Sequence, residues 1–212
     1  MKKIRLALVM LMTLTMIMGS TIIVSADGAK KGITPVTEWS SVDENGNMFV
    51  FVMVRNDNSS DRIVSMNASS YNASGKKIES ASSETIYLGA GETYALVSTF
   101  DKSGNATNYD YDLIVDNDIS SYNLSNGTPC LDAKFSDDGK GTVTVYATNT
   151  SPYTVTAQAM VIYYQDNSVV DFQEICLSND SDLQLYPGEA TTEYVYSEYV
   201  YDASTILVTG IR

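Results

Sequence analysis

Histidine is missing from all 212 residues. The commonest general base and the commonest metal ligand are therefore absent, and no Ser-His-Asp or Cys-His constellation can form within the chain. Only two cysteines are present, too few for a zinc site of the usual Cys/His kind. Neither common glycine-rich phosphate loop occurs. Basic residues number 13 against 26 acidic ones, for a net charge of −13, so the surface repels a phosphate backbone and opposes nucleic-acid binding. Prolines are only four, and beyond the N-terminus no segment sustains the 3.6-residue apolar period of an amphipathic helix.

What is present begins with a basic start, Lys2, Lys3 and Arg5, followed by an apolar run from Leu6 to about Met18. Val24-Ser25-Ala26 then precedes Asp27, as at a signal-peptidase site. Residues 1–26 are expected to be a signal peptide. The alternative, a retained membrane anchor, is weakened by Thr13, Thr15, Gly19, Ser20 and Thr21. No cysteine follows the run to carry a lipid, and the C-terminal Thr205–Arg212 does not resemble a sorting tail. Cleavage would remove three basic and no acidic residues, leaving 186 residues with a charge of −16. The expected location is secreted or extracellular, with non-covalent association at the cell surface as a variant and no stable membrane anchor.

The remaining chain repeats itself. Glu44-Asn45-Gly46 and Asp137-Asp138-Gly139 each suggest a tight turn and lie 93 positions apart. The strand Met48–Val54 then matches Thr142–Thr148, Asn56 matches Asn149, and the strand Arg62–Tyr71 matches Thr154–Tyr164. In the later copy Val155, Ala157, Ala159, Val161 and Tyr163 alternate with more polar residues, the period of a half-buried strand. Leu88-Gly-Ala-Gly-Glu92 and Leu185-Tyr-Pro-Gly-Glu189 follow at an offset of 97. The copies end on the apolar runs Tyr111–Val115 and Thr205–Thr209. Short Val/Thr/Tyr-rich strands with turn signals every 8 to 12 residues or so indicate an all-β fold of two tandem immunoglobulin-like β-sandwich repeats. The expected boundaries are 27–116 for the first repeat, 117–128 for a polar linker and 129–212 for the second.

The order strand, Asn and polar turn, strand ending in Tyr, then Leu-x-Pro-Gly-Glu resembles the FxLYD-type β-sandwich domains of bacterial envelope and secreted proteins. Leu185–Glu189 fits that pattern well. Leu88–Glu92 lacks its proline, and of the naming motif only Tyr71 and Tyr164 remain. The resemblance implies an immunoglobulin-like fold on an exported protein and carries over no catalytic residue.

Paired carboxylates could in principle support acid–base chemistry. Glu92 and Glu189 are expected instead to close turns on backbone N–H groups, and Glu174, Glu193 and Glu198 lie in or near strands without an evident cleft. The oxygen-rich stretch Asp101, Ser103, Asn105 and Asp112 departs from a calcium loop. Its glycine, Gly104, is two places early, and Asp112 stands where Glu is expected. A polar hairpin loop is the expectation there, and any ion would sit at the junction of the repeats, near Asp116-Asn-Asp118. Cys130 and Cys176 could form a disulfide in an exported chain or remain two buried free thiols; the first copy has Thr37 and Ser83 at the same spacing. The tyrosine concentration Tyr194, Tyr196, Tyr199 and Tyr201 offers candidate ligand-contact aromatics, although strand propensity alone also favours tyrosine. The phase of these residues flips at Ser197-Glu198, marking a bulge or turn. The chain is expected to be no enzyme, to use no cofactor and to bind an extracellular or envelope protein. The alternative is a carbohydrate-binding module for wall or environmental glycan.

Overall fold

A computed structural model describes residues 31–43, 45–116, 124–179 and 183–212. The expected signal peptide, Glu44 and residues 117–123 of the linker segment lie outside the described residues. The described chain is all-β, with thirteen strands and a short 3-10 turn at Thr128–Cys130. The strands are β1 (Ile33–Val42), β2 (Met48–Asn56), β3 (Arg62–Tyr71), β4 (Lys77–Ser82), β5 (Ile86–Leu88), β6 (Thr93–Phe100), β7 (Asn108–Asp116), β8 (Leu131–Asp137), β9 (Thr142–Asn149), β10 (Thr156–Gln165), β11 (Ser168–Cys176), β12 (Ala190–Tyr196) and β13 (Ala203–Ile211).

Four antiparallel sheets result. The first half contains β1-β2-β6 and a sheet in which β3 pairs with β4, β5 and β7. The second half contains β12-β9-β8 and β11-β10-β13. The registers correspond closely. Arg55 lies opposite Thr93 as Thr148 lies opposite Ala190. Arg62 lies opposite Leu88 as Val155 lies opposite Leu185.

The local reasons are visible at the turns. Asp43 accepts backbone N–H bonds from Asn45 and Asn47 at 2.9 and 2.8 Å. Asp138 accepts them from Lys140 and Thr142 at 2.7 and 3.0 Å. A short acidic side chain thus closes each hairpin on its own backbone, and a glycine in each, Gly46 at φ 84° and Gly141 at φ 114°, takes a conformation L-residues avoid. The corresponding residues are therefore Asp43 and Asp138, a slip of two from the alignment of Gly46 with Gly139.

The faces of β10 show what alternation alone misses. Val155, Ala157, Ala159, Val161 and Tyr163 pack with Val143, Val145, Ala147 and Val195 in the core of the second half. Met160 and Ile162, on the opposite face, are equally buried and join the core of the first half. The half-burial expected from this alternation therefore fails for β10, and β2 is also covered on both sides, with Met48 and every residue from Val50 to Val54 buried. The reason is stacking. Phe172 of β11 sits with its ring 6.0 Å from Trp39, 6.1 Å from Phe49 and 5.5 Å from Phe51. Val169 and Leu207 join the same cluster. The sheet β11-β10-β13 therefore lies between β12-β9-β8 and β1-β2-β6, and the described residues stack four sheets deep.

Hydrogen bonds reinforce the junction. Tyr94 Oη donates to Glu174 Oε1 at 3.2 Å, and Thr209 Oγ1 to the Tyr87 carbonyl at 2.7 Å. The described part of the linker segment is tied along β13. Ser125 and Arg212 exchange backbone bonds at 3.0 Å each, and Gly127 N–H meets the Gly210 carbonyl at 2.8 Å. A Cβ on Gly127 would come within 2.9 Å of the Gly210 backbone, so this strap requires the missing side chain.

Candidate functional site

Sheet geometry places the tyrosines of the C-terminal concentration in different settings. In β12, Val195 points into the core while Tyr194 and Tyr196 are 61% and 63% exposed. Tyr194 lies opposite Thr144, Tyr196 opposite Thr142, and Thr192 opposite Tyr146. Thr144 in turn lies opposite Ser136, Tyr146 opposite Lys134, and Thr148 opposite Asp132. Cross-strand partners share a face. The outer surface of β12-β9-β8 is thus a sheet of tyrosine, threonine and serine, its two charges, Lys134 and Asp132, paired at 2.8 Å.

Tyr146 belongs to this surface and was not singled out among the aromatics. Its signal was the alternation in β9, where Val143, Val145 and Ala147 are buried and Thr142, Thr144, Tyr146 and Thr148 face the other way. Tyr199 is exposed in the segment after β12, beside the exposed Val200. Tyr201 turns inward: its ring lies 4.8 Å from that of Tyr163, and its hydroxyl donates to Asp137 Oδ1 at 2.8 Å. The chain leaves strand geometry after Tyr196, at the phase flip expected from Ser197-Glu198.

Numbering offsets give this face a counterpart. Thr142, Thr144 and Tyr146 stand 93 positions after Phe49, Phe51 and Met53, and Thr192 and Tyr194 stand 97 positions after Ala95 and Val97. The earlier residues form the face of β1-β2-β6 that meets Phe172 and the second half. Each of these five apolar positions of the first half is a threonine or tyrosine in the second. The opposite end of the stack shows the same polar replacement. Asn67, Ser69 and Tyr71 occupy the positions of Met160, Ile162 and Tyr164 and bond to Ser82, Ser80 and Asp110.

The acidic candidates are occupied structurally. Glu92 Oε2 accepts the Gly89 N–H at 2.8 Å, and Glu189 Oε2 accepts the Tyr186 N–H at 2.9 Å. Both glutamates close the turns assigned to them. Glu92 also accepts from Asn126 and Thr128, holding the linker segment. Glu174 is an exposed residue that reaches Tyr94 of the first half, and desolvation pushes its carboxyl up despite the Tyr94 hydroxyl that lowers it. In the polar loop, Ser103 is fully buried, bonded to Ser70 Oγ at 2.6 Å and to Glu79 Oε2 at 3.3 Å. No three His, Cys, Asp or Glu residues converge on a metal-sized site among the described residues, and Asp118 of the expected junction site lies outside them.

Cys130 and Cys176 are free thiols, Cys130 half-buried and Cys176 exposed. Neither the disulfide nor the burial expected of free thiols is present. The pairing of Leu131 with Asn149 matches that of Ile33 with Asn56, so the first-half counterpart of Cys130 is Gly32 rather than Thr37.

No protein-family model matches this chain, and no curated protein does. Among solved structures, red sea bream transglutaminase is similar at 14% identity and a TM-score of 0.26, over 82% of this chain and 29% of that one. The C-terminal globular domain of an oligosaccharyltransferase from Pyrococcus abyssi is similar at 9% identity and a TM-score of 0.22, over 91% of this chain and 53% of that one. The chain thus spans under a third of the first structure's length and about half of the second's.

Proposed function

We propose that this is a non-catalytic binding protein of the bacterial cell exterior, built from two duplicated immunoglobulin-like units, and that the outer face of β12-β9-β8 is its contact surface. The observation that carries the reading is the replacement of covered Phe, Met and Val by half-buried Thr and exposed Tyr at corresponding positions. Tyrosine on a rigid strand offers a large amphipathic contact at low entropic cost, and neighbouring hydroxyls adapt to polar partners. The face bears no net charge within a strongly acidic chain, so a partner need not be basic. A protein partner is favoured because the corresponding face of the first half is itself covered by a protein sheet. Flatness and hydroxyl content favour glycan as the second reading.

The test is the triple substitution Tyr146→Ala, Tyr194→Ala and Tyr196→Ala, with far-UV circular dichroism to confirm folding. Binding to protease-treated and untreated envelope from the native cell, and to a glycan array, should be compared with the parent. Loss of a protease-sensitive interaction supports the protein reading, and loss of array binding the glycan reading. Binding that survives the triple substitution removes this face from consideration.

A further inference from the structure

The second sandwich has a polar end that its counterpart in the first half closes differently. Tyr163 lies directly across from Asp171 on β11 and from Ser204 on β13, so the three share one row. Its side chain is completely buried, yet its hydroxyl has no hydrogen-bond partner among the described residues. Asp137, at the end of β8, accepts from Ser204 Oγ, Tyr201 Oη and the Gly139 N–H. Asp171 accepts from Ser197 Oγ at 2.7 Å and from the Phe172 N–H at 2.8 Å. Hydroxyls and carboxylates from β8, β10, β11, β13 and the segment after β12 therefore meet around one buried phenol.

Neither carboxylate has a Lys or Arg partner among the described residues. Burial pushes the Asp171 carboxyl up, with Glu198 adding to the effect. At the matching place in the first half, Ser70 replaces Tyr163, and the Ser70, Ser103 and Glu79 side chains satisfy one another. That end is closed by its own side chains; the end at Tyr163 leaves a buried oxygen over.

We infer that this end of the second sandwich binds a hard divalent cation of the calcium class, held by Asp137 and Asp171 with oxygens of Tyr163, Ser197 and Ser204. Hard cations prefer such oxygen sets, and a site with only two carboxylates belongs with the weak extracellular modules, at a Kd of about 10⁻⁴ to 10⁻³ M. The cation supplies the missing counter-charge and clamps the segment after β12 to β8 and β11.

Terbium is the probe, because Tyr163 and Tyr201 sit close enough to sensitise its emission. The parent protein should show tyrosine-excited terbium emission that calcium displaces, and a calcium-dependent rise in Tm. Asp171→Asn should weaken both at least tenfold. Tyr163→Phe, which keeps the buried ring, should retain the fold and lower terbium affinity severalfold. The pair Asp110→Asn and Asp112→Asn, on the outer sheet of the first half, should change neither. The assignment is overturned if the parent shows no response by about 10 mM calcium, tenfold above the weak end of that range. It is also overturned if terbium affinity is unchanged in Tyr163→Phe, or in a folded Asp171→Asn.

Discussion

At the scale of single residues, the most consequential positions are two buried asparagines. Asn56 Nδ2 donates to the carbonyls of Ser60, Leu88 and Gly89 at 3.0, 2.9 and 3.1 Å. Asn149 Nδ2 donates to Tyr153 and Leu185 at 2.6 and 2.8 Å. Each side-chain oxygen takes the N–H two residues on. One amide thus locks the turn after its own strand to the Leu-x-x-Gly-Glu turn. Removing it strands several buried carbonyls, so Asn56→Ala or Asn149→Ala should each cost about 2–4 kcal/mol in denaturant unfolding.

Tyrosine hydroxyls take the place of basic side chains as partners for the acidic excess. They donate to Asp110, Asp61, Glu174, Glu38 and Asp137 from Tyr71, Tyr87, Tyr94, Tyr111 and Tyr201. Burial, together with these carboxylates, pushes Tyr87 and Tyr201 up to about 12; burial with Glu38 nearby does the same for Tyr109. A phenol raised in the folded state stabilises the fold fully below its ordinary value of 10.0 and loses that contribution as pH rises through about 12. Circular dichroism during an alkaline titration should therefore show structure failing between these values, accompanied by a late rise in phenolate absorbance. Burial, then Glu174, Glu84 and Glu193, also raises the Cys176 thiol. At neutral pH Cys176 should react with a thiol reagent more slowly than the same cysteine in the unfolded chain.

Among the elements, β10 and β11 carry the greatest load. Phe172→Ala empties the contact with Trp39, Phe49 and Phe51 and should cost about 3–5 kcal/mol. Tyr194→Ala, on the outer face, should stay within about 0.5 kcal/mol. Urea unfolding of both variants checks the contrast. The elements themselves were legible because period two, turn residues and the matching residues 93 positions apart agree; the Arg62–Tyr71 strand matches its expected span. The closing role of Glu92 and Glu189 was legible for the same local reason. What alternation could not supply was the second buried face. Met48–Val54 is apolar without interruption, the pattern of a strand covered on both sides, but which element covers it depends on contacts between residues over a hundred positions apart. Tyr146 was similarly concealed, because its importance lies in neighbours on β12 rather than β9.

For the whole molecule, the two outermost faces are polar and the two between the halves apolar, so the stack is finished at both ends. One apolar cluster includes residues of both halves. Heat or denaturant should therefore unfold the protein in a single transition, with calorimetric and van't Hoff enthalpies agreeing. Phe172→Asp should split that transition in two.

The order of synthesis gives the doubly covered strand β2 a further consequence. It emerges from the ribosome more than a hundred residues before Phe172 arrives to shelter it. A nascent fragment released after Asp116 would carry Trp39, Phe49 and Phe51 bare to water, an adhesive patch that invites clumping.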